Sequence, residues 1–149
     1  MRAEAQPVMS VEEITAYIDR EFPQIHHGGR IYQIEAVGPM SARLRMVFHD
    51  HLVRPGGTIS GPSLFALADL ALYVAILAHI GPLGLAVTTS MTLNFLRKPE
   101  PRDLLGECRL LKLGKRLAVG NVTIRADHSD AILAQATGTY SIPANKAVR

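Results

Sequence analysis

The residue whose chemistry asks for an explanation is Asp69, the one formally charged side chain in the apolar stretch Gly61–Ile80, GPSLFALADLALYVAILAHI. A helix of that composition has no polar face and must be covered all round, by protein or by lipid. A carboxylate in its middle is costly unless it is paired, protonated or used in a reaction. If it is paired, Arg54 is a candidate partner and Asp69 is a structural acid. Use in a reaction is the favoured reading, because a buried lone acid marks a site more often than a strut.

A second set of residues has chemistry of the opposite sign. Between Arg97 and Arg116 there are seven Lys or Arg (97, 98, 102, 109, 112, 115, 116) against three acids (100, 103, 107). Such a run is either a solvated face or a phosphate site. With a formal net charge of +3 and a pI near 9.3, the chain suits an anionic small molecule better than bulk nucleic acid. It has no Trp, so platforms for stacking bases are scarce and no nucleic-acid partner is expected. His49 and His51 are spaced like two metal ligands on a strand face, but nothing fixes a third, and no metal is expected. Cys108 is alone, which excludes an internal disulfide and suits a reducing, cytoplasmic setting; it reads as a small buried hydrophobe.

These residues need elements to position them. The 149 residues, 48% apolar, fit one domain with a core of its own, with mobile tails expected at 1–9 and 143–149. The N-terminal stretch has early acids and no apolar run, so a secretory signal is not expected. Ser10 caps a predicted amphipathic helix carrying Ile14, Tyr17, Ile18 and Phe22, which stops before Pro23, and Gln24–Arg30 reads as a loop. Ile31–Val37 and Ser41–Phe48 read as a hairpin across Gly38-Pro39. The Pro55-Gly56-Gly57 loop leads into the apolar helix, which Ser60 or Gly61 caps and Gly81-Pro82 stops. Strands follow at Leu85–Phe95, Leu104–Leu113, Leu117–Ala126 and Ala131–Ile142. Asp69 at mid-depth argues against a membrane span, so no membrane is expected and a curved sheet must cover the helix.

The run Arg54–Ala71, RPGGTISGPSLFALADLA, with Val87–Pro99, VTTSMTLNFLRKP, resembles the PaaI-type acyl-CoA thioesterases of the hotdog fold. The family signature has an Asn, then His-Gly-Gly, then a helix carrying Leu-Ala-Asp-x-Ala. Here Arg54 stands for the Asn, Ser60 for the His and Pro62 for the second Gly. The resemblance implies an α+β hotdog domain, a sheet wrapped around the long helix. It also implies a homodimer or homotetramer with sites at the subunit interface, Asp69 facing the loop and Thr88 region of the other subunit.

On the same resemblance Asp69 is general base or nucleophile, and the Gly61 amide polarises the thioester carbonyl, a role that a helix start suits. Thr88 helps to hold the attacking water, and Ser60 and Arg54 assist. Arg97, Lys98, Lys115 and Arg116 contact CoA phosphates, with Thr89 beside them in the substrate set. An acyl or aryl group lies near Leu64, Phe65 and Tyr73. The CoA ester is the substrate, so no cofactor is expected. The departures at Arg54 and Ser60 keep open a non-hydrolytic acyl-CoA-binding or regulatory protein. A hydratase is weaker, since no His lies between Gly56 and Asp69.

Overall fold

Local chemistry sets the element ends in the computed structural model, which describes residues 4–27 and 29–144. Ser10 and Glu13 form a reciprocal capping box that starts α1 (Val11–Glu21) and turns Ile14, Tyr17 and Ile18 inward. The expected loop after it holds a 3-10 turn, Pro23–His26. A hairpin of β1 (Tyr32–Gly38) and β2 (Ser41–Met46) follows. A second 3-10 turn, Asp50–Leu52, leads to α2 (Gly61–Ile80). Four strands complete the chain: β3 (Val87–Phe95), β4 (Leu104–Leu113), β5 (Leu117–Ala126) and β6 (Ile132–Ser141). Val8 and Met9, within the expected N-terminal tail, both donate to Ala78 O near the end of α2. Residues 1–3 and 145–149 of the expected tails lie outside the described residues.

The strands form one antiparallel sheet in the order β1-β2-β4-β5-β6-β3, wrapped around α2 as the hotdog fold requires. Every α2 residue from Leu70 to Ala78 is buried, so the membrane-length apolar helix is the core helix. Its seat depends on paired glycines. Gly120 and Gly138 face each other across β5 and β6, and a Cβ on either would come within 2.7 Å of the Leu72 side chain. Coverage fails near the start of the helix, where Phe65 and Ala66 are exposed.

Two features of β3 bear on the site. It is an edge strand, bonded only to β6, and Val87 and Phe95 at its ends are exposed, as are Leu85 and Leu96 just beyond. It also carries a bulge: Thr88 opposes Tyr140 and Ser90 opposes Thr139, leaving Thr89 as the extra residue. The bulge changes the inward set from even to odd positions, since Thr88 is half-buried before it and Met91 and Leu93 after it.

Candidate active site

Asp69 lies in the third turn of α2, where the helix emerges from full burial, and its side chain lines a cavity of about 990 Å³. The cavity runs between α2, α1 and the segment that leads into β3. All four tyrosines of the chain, Tyr17, Tyr32, Tyr73 and Tyr140, contribute to its wall. The Tyr73 ring has its centroid 6.2 Å from that of Tyr140 and 6.2 Å from that of Phe22, the latter edge-on at 84°. Gly84 is held between Tyr17, whose hydroxyl accepts from its N–H at 2.8 Å, and Tyr73, whose hydroxyl donates to its carbonyl at 3.1 Å.

The carboxylate has two neutral partners. Thr88 Oγ1 donates to Asp69 Oδ1 at 2.6 Å, and the Tyr140 hydroxyl donates to the same oxygen at 2.8 Å. Burial pushes the Tyr140 hydroxyl far above the usual tyrosine range, and the Asp69 charge adds to the shift. Burial likewise raises Tyr73, to about 12. Arg54, the cation weighed as a partner for Asp69, is exposed and belongs to a different groove. Thr88 reaches Asp69 within one chain, which corrects the expectation that it arrives from another subunit. Tyr140 was missed by the sequence reading. The available signal was a hydroxyl-bearing ring on a face otherwise made of Ala134, Ala136 and Ile142, where it needs a buried partner.

The start of α2 forms a second arrangement. Ser60 is the N-cap: its Oγ accepts from Ser63 N at 3.2 Å and lies 2.7 Å from Ser63 Oγ, while its carbonyl accepts from Leu64 N. The hydroxyl expected to assist catalysis is thus engaged in capping the helix start, away from the Asp69 cavity. Pro62 has no N–H, so Gly61 holds the one first-turn donor that Ser60 does not satisfy. Gly61 lines a groove of about 340 Å³ with Arg54, Phe95, Arg97 and Lys98. Leu64 sits beneath this groove, 1% exposed, whereas Phe65 lines neither hollow.

The remaining expected contacts are scattered. Thr89 is the bulge residue, and its hydroxyl turns to Thr139 O at 3.2 Å. Lys115 and Arg116 are exposed in the β4–β5 turn. Leu117 beyond that turn shares Ser141 as partner with Val87, at the start of β3, while Arg97 and Lys98 follow its far end. One chain therefore holds the two basic pairs at opposite ends of the sheet, and they cannot grip one nucleotide. Cys108 is buried as expected, its thiol pushed up by burial to about 12. Among the described residues no group of three or more His, Cys, Asp or Glu side chains is arranged to hold a metal ion.

Comparison with known proteins bears on the family and the fold. The sequence model of the thioesterase superfamily matches residues 56–132. The chain is similar to a candidate thioesterase of known structure from a Silicibacter species, with 45% identity, a TM-score of 0.84, and coverage of 94% of this chain and 96% of that one. A candidate esterase of Saccharolobus solfataricus is 26% identical over 140 residues, 94% of this chain and 84% of the relative. The PaaI protein of Escherichia coli shares the fold, with a TM-score of 0.74 at 19% identity over 89% of this chain and 91% of that one. The match across α2 and strands β3, β4 and β5, with a relative alike over nearly the whole length, makes this chain a member of the thioesterase superfamily, a thioester hydrolase of the hotdog fold.

Proposed function

We propose that the protein hydrolyses an acyl-CoA thioester at a site completed by two copies, Asp69 from one and the first turn of α2 from the other. The observation that carries this reading is the Asp69 carboxylate in the wall of the tyrosine-lined cavity, held by neutral hydroxyls rather than neutralised by a cation. Gly61 lies eight residues earlier on the same helix, about 12 Å away along the axis. One thioester cannot touch both groups of one chain at hydrogen-bond range.

A second copy removes the conflict. If two β3 edges pair antiparallel, the start of one strand, beside Thr88 and Asp69, meets the end of the other. That end carries Phe95, whose ring lies 3.4 Å from the Cβ position of Gly61. The same pairing brings Lys115-Arg116 of one copy towards Arg97-Lys98 of the other, a shared cradle for the CoA phosphates. It also covers Val87, Phe95 and Leu96, now exposed.

Asp69 takes a proton from water as the oxygen attacks the carbonyl carbon, or attacks that carbon itself. The carbonyl oxygen becomes an oxyanion that accepts from the Gly61 N–H, backed by the helix start. In the water route the C–S bond then breaks, and the proton held by Asp69 passes to the departing sulfur. In the direct route the C–S bond breaks to release the thiolate and leave an acyl–Asp69 anhydride, which water hydrolyses to the free acid and the restored carboxylate. The acyl group occupies the cavity beside Tyr73. The single buried thiol is in keeping with a cytoplasmic setting.

A panel of acyl-CoA esters with detection of released thiol tests the proposal. Turnover that falls about 10³-fold in D69N supports it, and saturable ester binding without thiol release would show a binding protein instead.

A further inference from the structure

We propose that Tyr140 is a positioning residue which, together with Thr88, fixes the Asp69 carboxylate by one oxygen and leaves the other to react. The inference rests on the reading of Asp69 as the reacting group. Its basis is a convergence that the sheet register builds. Thr88 and Tyr140 are direct cross-strand partners on β3 and β6, and both aim hydroxyls at Asp69 Oδ1, at 2.6 and 2.8 Å. The Tyr140 hydroxyl also lies 3.2 Å from the Asp69 carbonyl, so it grips the residue at backbone and side chain together. Among the described residues nothing donates to Oδ2.

Two O–H donors on one oxygen do two things. They fix the carboxylate's rotation about its terminal torsion, which is otherwise broad. They also occupy the lone pairs of Oδ1, so that the unpaired lone pairs of Oδ2 are the ones offered to water. Tyr140 suits this task because the residue is 3% exposed and its hydroxyl stays protonated, with burial opposing the phenolate. Thr88 is spent the same way: its proton goes to Asp69, and only its lone pairs remain for the water.

The role is conditional on the bulge at Thr89. Without that extra residue, the alternation that turns Met91 and Leu93 inward would turn Thr88 outward.

The test is Y140F, T88V and the double variant, assayed on whichever thioester the wild type turns over, with melting temperatures alongside. Each single variant is expected to lose about tenfold in kcat with KM within about twofold, the cost of one charge-assisted hydrogen bond that positions rather than binds. The double variant should lose more than the product of the two, because each donor compensates for the other on a shared oxygen. T88V keeps the inference testable if Y140F folds poorly. A Y140F enzyme with wild-type kcat, a loss confined to KM, or losses that simply multiply would overturn it while leaving Asp69 as the reacting group. A wild type that releases no thiol from any ester, or a D69N variant that keeps full turnover, would remove the underlying reading and this inference with it.

Discussion

The third turn of α2 and its first turn hold the two halves of the proposed reaction, and they are built differently. Around Asp69 the sheet supplies both donors, a hydroxyl from β3 and another from β6, and the Tyr73 ring of α2 packs behind them. Around Gly61 the groups are a backbone amide and three exposed cations, Arg54, Arg97 and Lys98. The group that must be held within tenths of an ångström sits where packing fixes it. The groups proposed to catch and release a charged nucleotide sit in water, where their attraction is screened and reversible.

The sharpest way to break this division is to remove each half separately. D69N should reduce kcat by about 10³-fold with little change in KM, as expected for a lost general base. Thiol-release kinetics on a saturating ester would show it. Gly61→Pro deletes the amide proton and sets a proline ring in contact with Phe95, whose ring lies 3.4 Å from the Cβ position, while Ser60 already has the extended backbone (φ −73°, ψ 155°) that precedes a proline comfortably. We expect about a 100-fold loss in kcat with the fold retained by circular dichroism. Mixing the two inactive variants through unfolding and refolding should then restore about a quarter of wild-type activity. Half the dimers would be mixed, and each would contain one intact site of two. Zero recovery would mean that both halves work within a single chain.

A smaller effect sharpens the nucleotide side. R97A/K98A should raise KM for a CoA ester about fivefold and leave the N-acetylcysteamine ester of the same acid unaffected, because the truncated substrate has no phosphates.

The smallest expected effect is on stability. The buried Tyr73 and Tyr140 hydroxyls titrate above their unfolded values, so the native state binds more protons than the unfolded chain at alkaline pH. Their contribution is complete below about pH 9 and is lost as pH rises towards 12 and beyond. The melting temperature should therefore fall over pH 9–11, by several degrees. Y73F should reduce that slope, whereas R97A/K98A should not. Scanning calorimetry across the range separates the two.

The fold was legible where one residue type settles the matter locally. Gly61–Ile80 is bounded as the sequence indicates, because Ser60, Pro62 and Gly81-Pro82 punctuate it and its composition demands burial. The strands after it were equally plain. Long-range pairing was not. Nothing local says that β3 joins β6 rather than its chain neighbour β4, and that choice separates Arg97-Lys98 from Lys115-Arg116. The same pairing puts Tyr140 opposite Thr88, so the register delivers the second hydroxyl to Asp69 and the sequence alone does not. Ser60 was legible as a cap from its type, and the structure gives it that role.

The extra residue in β3 has a consequence for how this enzyme can vary. A regular strand locks the facing of all its side chains together, so a position near one end cannot be re-aimed without turning over the rest. Thr89 divides the strand into two independent phases. Upstream, the facing serves the carboxylate; downstream, Met91 and Leu93 serve the core. Substitutions on the upstream side can retune the reaction without disturbing the packing that keeps α2 in place. Removing Thr89 would force one phase on both, at the cost of either the reaction or the core.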